Sequence, residues 1–164
     1  MSTKNVKANL ADHIAIRDLI ARYTDAVNER DENAIASQFT ANGVWDMGGA
    51  AVGNMAQYIT GARNIAQTIA KLTETTSLSV QMTHSSAIEV EGKGATARTL
   101  VNEVVALKGG GGMTILGKYT DSLVLEEDGE WRFSKRVWRF AYLDSSGLPG
   151  QVMIDKSEPG EKLS

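Results

Sequence analysis

Residues 78–143 read LSVQMTHSSAIEV, EGKG, ATARTLVNEVVALK, GGGG, MTILGKYTDSLVLE, EDG and EWRFSKRVWRFAYL in turn. Apolar and polar residues alternate in the four long runs, the period of two that a half-buried strand requires, and the glycine-bearing segments between them are turn signals. Four strands are therefore predicted, over Leu78–Val90, Ala95–Lys108, Met113–Glu126 and Glu130–Leu143. Joined by short turns they form an antiparallel meander, and strands of this length curve strongly when paired.

Upstream the period is helical. From Ala11, the residues Ile14, Ile16, Leu19, Ile20, Tyr23 and Val27 recur at the spacing of one helix face, with Asp12 as N-cap and an end near Asp31. Asp18, Arg22, Asp25 and Glu29 fall on the other face, spaced for solvated ion pairs worth a few tenths of a kcal/mol each. A short second helix over Glu32–Phe39 precedes a strand over Gly43–Met47. Gly48, Gly49 and Gly53 then loosen the chain, and a third helix fits Met55–Leu72. Helices first and strands afterwards give an α+β domain whose sheet wraps around the helices. That domain is expected over residues 11–143, after a flexible N-terminus over 1–10 and before a C-terminal tail over 144–164 that holds Pro149 and Pro159.

Composition narrows the function. With 164 residues, 42% of them hydrophobic, the chain buries one ordinary core. A net charge of −3 provides no basic surface for nucleic acid or an anionic membrane. Cysteine is absent, which removes disulfides and thiolate chemistry, and His13 and His84 are the only histidines, too few for a histidine-built metal site. The N-terminus lacks the apolar segment of a secretory signal, and no apolar run reaches the roughly 20 residues of a membrane helix. A soluble, cytoplasmic protein is the expectation.

Strict alternation puts Val80, Met82, His84, Ser86, Ile88 and Val90 on one face, so His84 falls in the middle of an apolar stripe. Desolvation there keeps an imidazole neutral, the form a general base requires, although a core histidine bonded to a backbone carbonyl fits the same pattern. Asp121 falls among apolar residues of the third long strand and must find a cation, for which Arg136 or Arg139 of the last strand would serve as a structural ion pair. In that last strand Trp131, Phe133, Val137 and Arg139 share one side, with Arg132, Arg136, Trp138 and Phe140 on the other. The pattern leaves open which side faces inward. Tyr23 lies within the apolar face of the first helix, where its hydroxyl needs a partner and suits a pocket wall. The glycines at 109–112 lack the Lys-Ser/Thr pair and following helix of a phosphate loop.

The segments AIRDLIARYTDAVNERD, QFTANGVWDM, THSS and GKYTDSLVLEEDGEWRFSKRVWR, with the order of elements, resemble the SnoaL-like branch of the nuclear transport factor two-like superfamily over about Ala11 to Tyr142. The closing strands are similar to those of hexachlorocyclohexane dehydrochlorinase and, more distantly, scytalone dehydratase and bile acid 7α-dehydratase. The resemblance implies a cone-shaped α+β barrel, with helices packed in a strongly curved mixed or antiparallel sheet around an apolar cavity. It further implies a cofactor-independent lyase or isomerase acting on a small apolar cyclic or aromatic molecule, without metal or organic cofactor. Those lyases pair a histidine base with an aspartate, and His84 matches the histidine while Asn28 stands at the aspartate position. An amide can fix the imidazole tautomer but cannot stabilise the imidazolium. Tyr23 looks like a dehydratase tyrosine and Arg139 like the dehydrochlorinase arginine, with Trp45 and Met82 as substrate contacts. If Arg139 points inward, Trp138 and Phe140 form an outer apolar patch, and a dimer or trimer is expected. The alternative is a non-catalytic binding or accessory protein of the same fold, a reading that Asn28 favours.

Overall fold

The change of period near residue 75 is where the chain passes from helices to the long strands. The structure, a computed structural model, describes residues 3–47 and 58–152, with side chains from Leu10 onward. Its elements are α1 (Thr3–Asn28), α2 (Glu32–Ser37), β1 (Phe39–Asp46), β2 (Tyr58–Thr60), α3 (Ala62–Thr73), β3 (Thr76–Glu91), β4 (Gly94–Leu107), β5 (Gly112–Leu125) and β6 (Trp131–Asp144). One curved, unclosed sheet has the order β2-β1-β6-β5-β4-β3. The expected meander holds from β3 to β6, but β1 joins it parallel to β6, which makes the sheet mixed. Among the described residues no helix is long and apolar enough to cross a membrane.

Helix α1 buries Ile16, Leu19, Ile20, Tyr23 and Val27, the stripe its spacing predicts, whereas Ile14 is exposed. It begins at Thr3, upstream of the Ala11 start that the spacing predicts. Asp12 consequently lies inside the helix rather than capping it, and its carboxylate accepts from the Trp131 indole N–H at 3.0 Å, tying α1 to β6. A carboxylate cap does occur at α2, where Asp31 accepts from the Ala34 N–H at 2.9 Å. Helix α2 stops at Ser37, and Phe39 enters β1 instead of ending a helix.

The predicted helix over Met55–Leu72 starts late. Residues 48–57, including the three glycines and Met55, lie outside the described residues, and Tyr58–Thr60 form strand β2 against β1. Gly61 then takes φ 94 and donates its N–H to the Gly43 carbonyl at 2.8 Å. That left-handed backbone, open to glycine at little cost, separates the strand from α3. The tail expected over 144–164 lies outside the described residues from 153 onward, and Ser145–Val152 has no helix or strand.

Three β-bulges decide which side chains reach the interior. In β3 the pairing jumps from Thr83↔Val101 to Ser86↔Thr99, so that His84 and Ser85 together stand opposite Leu100, one residue in excess. In β6 it jumps from Lys135↔Ser122 to Phe133↔Leu123 and from Tyr142↔Leu116 to Phe140↔Gly117. Each inserted residue reverses the alternation beyond it. Hence Trp131 and Phe133 are buried, and so are Arg136 and Trp138, which strict alternation would put on the opposite side. Gly117 makes room for this arrangement, because a Cβ there would fall on the Trp138 ring. Replacing Gly117 with valine is expected to cost about 1–3 kcal/mol through overpacking, read as a lower urea midpoint. An unchanged midpoint would show that the indole has somewhere else to go.

Candidate functional site

A cavity of about 430 Å³ opens between the inner face of the sheet and the helices. Its apolar wall comes from Val27 of α1, Trp45 of β1, Ile69 and Leu72 of α3, and Val105, Ile115, Trp138 and Phe140 of the sheet. The size is within the range of small-molecule sites, and the predominantly apolar lining with a few convergent polar groups is their usual chemistry. Those polar groups are Tyr23, Tyr119, Gln81, Ser79 and Glu103, with threonines 73, 75 and 76 at the α3–β3 junction.

Beneath Tyr23 and Tyr119 lies Arg136, fully buried, opposite Asp121 in the β5–β6 register. Its Nε is 3.3 Å from an Asp121 oxygen, within ion-pair range but not aligned as a hydrogen bond. The sequence expectation that Asp121 would pair with an arginine of the last strand is met here. The guanidinium carbon lies 4.1 Å from the centre of the Tyr23 ring, 3.8 Å from that of Tyr119 and 4.2 Å from that of Phe133. Desolvated contacts of this kind contribute about 2 kcal/mol each. Burial pushes Asp121 up to about 6, the guanidinium pulling the other way.

The two phenols form one polar unit. Tyr119 Oη accepts from Gln81 Nε2 at 3.4 Å. Tyr23 packs edge to face on the Tyr119 ring, 6.1 Å between centroids, and each phenol raises or tempers the pKa of the other. Burial holds both well protonated, and Tyr23 the more strongly.

Glu103 is the charged side chain of the cavity lining. It stands opposite Gln81 on one side and Ile115 on the other. Burial pushes its carboxyl from 4.5 up to about 7, with a hydrogen bond from Ser79 as the opposing influence. The sequence reading missed it. The available signal was parity, since Glu103 shares the inward register of Thr99, Val101 and Val105 in β4, where a carboxylate is out of place.

Of the expected site residues, Tyr23 and Trp45 line this cavity. His84 does not, because the bulge at 84–85 takes it out of the inward register and leaves it exposed. Met82 is exposed as well. Arg139 points away from the lining and makes a two-pronged ion pair with the buried Asp46, at 3.0 and 3.2 Å. Since Trp138 and Phe140 line the cavity, they supply no outer patch for a dimer or trimer. Asn28 lies at the end of α1 but clamps β3: its Nδ2 donates to the Gln81 carbonyl at 2.9 Å and its Oδ1 accepts from the Gln81 N–H at 2.8 Å. Its hydrogen-bonding capacity goes to the backbone beside the cavity, not to an imidazole. Among the described residues no group of three or more His, Cys, Asp or Glu side chains is placed to hold a metal ion.

Two stability tests come out of this geometry. Asn28→Asp keeps an acceptor for the Gln81 N–H but puts a carboxylate against the Gln81 carbonyl, so a loss of about 1–3 kcal/mol is expected in chemical denaturation. Glu103 binds a proton more tightly folded than unfolded, so its contribution is full below about pH 4.5 and is lost as the pH rises through about 7. The melting temperature of the protein should therefore fall between about pH 5 and about pH 8, and Glu103→Gln should make that fall smaller. Asp121, raised to about 6, keeps part of the slope in the variant.

A family model described as a SnoaL-like domain matches residues 8–137. Hexachlorocyclohexane dehydrochlorinase LinA-type3 from Novosphingobium barchaimii LL02 superposes with a TM-score of 0.75 at 21% identity, over 90% of this chain and 97% of that one. A provisionally named scytalone dehydratase from Novosphingobium aromaticivorans DSM 12444 gives 0.75 at 17% identity, over 93% and 99% of the two chains. The Kfla4162 protein from Kribbella flavida gives 0.73 at 18% identity, over 83% and 95%. At these identities the likeness shows the fold. No curated protein matches the chain significantly.

Proposed function

The chain belongs to the SnoaL-like domain family, and on that premise we propose that its cavity takes a small apolar cyclic or aromatic molecule on which Glu103 moves a proton, in a cofactor-independent lyase or isomerase reaction. One observation carries the reading: a carboxyl group with a pKa of about 7 stands in an otherwise apolar pocket. A proton-transfer catalyst works best when its pKa is near the operating pH, since both protonation states are then accessible. The ionised carboxylate takes a proton from an acidic carbon. The electron pair left behind either shifts to a neighbouring carbonyl, as in an isomerase, or expels a leaving group, as in a lyase. In the first case the protonated Glu103 returns the proton to a second carbon, and in the second it gives the proton to solvent. Glu103 thus takes the part that the family resemblance assigned to His84.

Two structural neighbours carry the names hexachlorocyclohexane dehydrochlorinase and scytalone dehydratase, both names of lyases, which supports the lyase reading. A second reading, a binding protein without turnover, is favoured by Asn28, whose commitment to the Gln81 backbone leaves no carboxylate to support a histidine base.

Proton–deuterium exchange at the acidic carbon of 2-tetralone, followed by NMR in D₂O, separates the two. The enzyme reading expects the protein to accelerate exchange, with a rate that rises through about pH 7 as Glu103 ionises. Glu103→Gln should lower the rate by the roughly 10²- to 10⁴-fold typical of a general base. If neither 2-tetralone nor a panel of cyclic ketones and halides reacts faster than in buffer, the binding reading stands in its place.

A further inference from the structure

The polar end of the cavity carries hydrogen-bonding capacity that the protein does not use. Tyr119 Oη receives the Gln81 amide N–H at 3.4 Å. Among the described residues no hydrogen bond uses its own O–H as donor. The Gln81 side chain, 5% exposed, leaves Oε1 buried and without a partner. A donor and an acceptor, joined through one amide and both belonging to lining residues, thus stand unpaired at the same end of the cavity. Buried polar groups are ordinarily satisfied, and leaving them open is costly unless something fills the place.

We propose that Tyr119 and Gln81 form an oxygen subsite for the hydroxyl group of a neutral cyclic alcohol or phenol. The ligand oxygen accepts from the Tyr119 O–H, and the ligand proton goes to Gln81 Oε1. A ketone would satisfy Tyr119 and leave Gln81 Oε1 unpaired, whereas a hydroxyl group answers both. Charge points the same way. The lining contains no Lys, Arg or His, and Arg136 is sealed behind the faces of the Tyr23 and Tyr119 rings. A ligand carboxylate would meet Glu103 with no cation to compensate, so the subsite selects against anions. The proposal rests on the reading of the cavity as a small-molecule site and adds the group that the molecule must carry.

The test is calorimetric titration of the full chain at about pH 7 with 2-naphthol, naphthalene and 2-naphthoate, which share one ring system and differ at one substituent. The wild type is expected to bind 2-naphthol about tenfold more tightly than naphthalene, the worth of hydrogen bonds made in a desolvated site, and to bind 2-naphthoate more weakly than either. Tyr119→Phe keeps the ring over Arg136 and should abolish the advantage of 2-naphthol while leaving naphthalene affinity unchanged. Gln81→Met removes the amide at similar length and should reduce the same ratio, with thermal melts verifying that both variants fold. Because the readout is a ratio of two ligands, a general loss of packing does not mimic it. Equal affinities for 2-naphthol and naphthalene in the wild type, or an advantage that survives Tyr119→Phe, would overturn the subsite while leaving the cavity reading intact. Failure of both neutral ligands to bind would overturn the two together.

Discussion

A guanidinium group closed off from water by three aromatic rings sets the terms for everything around it. Taking Arg136 out of solvent carries a desolvation cost of several kcal/mol. Its nitrogens find no hydrogen-bond partner among the described residues, so the compensation comes from the Asp121 charge and from ring faces. That arrangement demands three elements at once. Tyr23 comes from α1, Tyr119 from β5, and Phe133 from β6 together with the arginine itself. The rings also pack edge to face on one another, with Tyr23 5.9 Å from Phe39, 6.1 Å from Tyr119 and 5.7 Å from Phe133. The floor of the cavity is therefore fixed by the same contacts that hold the helix to the sheet.

The buried charge also sorts the titratable groups of the interior. Arg136 pulls the pKa of Tyr23, Tyr119 and Asp121 downward against burial. Glu103, on β4, has no such cation among its influences, and burial raises it to about 7. Two acids in one domain are separated by environment alone, one held as the structural counter-ion and the other left free to exchange its proton near neutrality.

The switch from helical to alternating period was legible, and so were the stripe of α1, the meander from β3 to β6, the Asp121 ion pair and the inward placement of Tyr23 and Trp45. Periodicity reports a regular element faithfully, and these lie in regular stretches. It fails where one residue is added to a strand. The bulges near His84, Ser134 and Ala141 carry no distinctive residue type, yet each changes the face taken by the residues after it. They explain why His84 and Arg139 are outside the cavity and why Trp138 and Phe140 are in it. Asp12 misled for a different reason. A capping residue is a local signal, and a tertiary partner, the Trp131 indole, determined how this one is used.

The parallel pairing of β1 with β6 has a kinetic meaning. The Asp46–Arg139 bond that fastens these strands spans 93 residues of sequence, while the hairpins from β3 to β6 close over short turns. Contacts between distant segments form slowly, because the loop entropy is lost before the contact repays it. The hairpins can thus assemble while α1 and β1 still wait for a template. During synthesis, β1 emerges long before the strand it must join, its edge unpaired and its apolar residues Phe39, Val44 and Trp45 open to solvent. The cavity comes into being only with the arrival of β6, which brings Arg136 and Trp138 at the same moment. A stalled or shortened chain that ends before Trp131 would have two hairpin turns of correct sheet and no binding site, and would present a sticky strand to its neighbours.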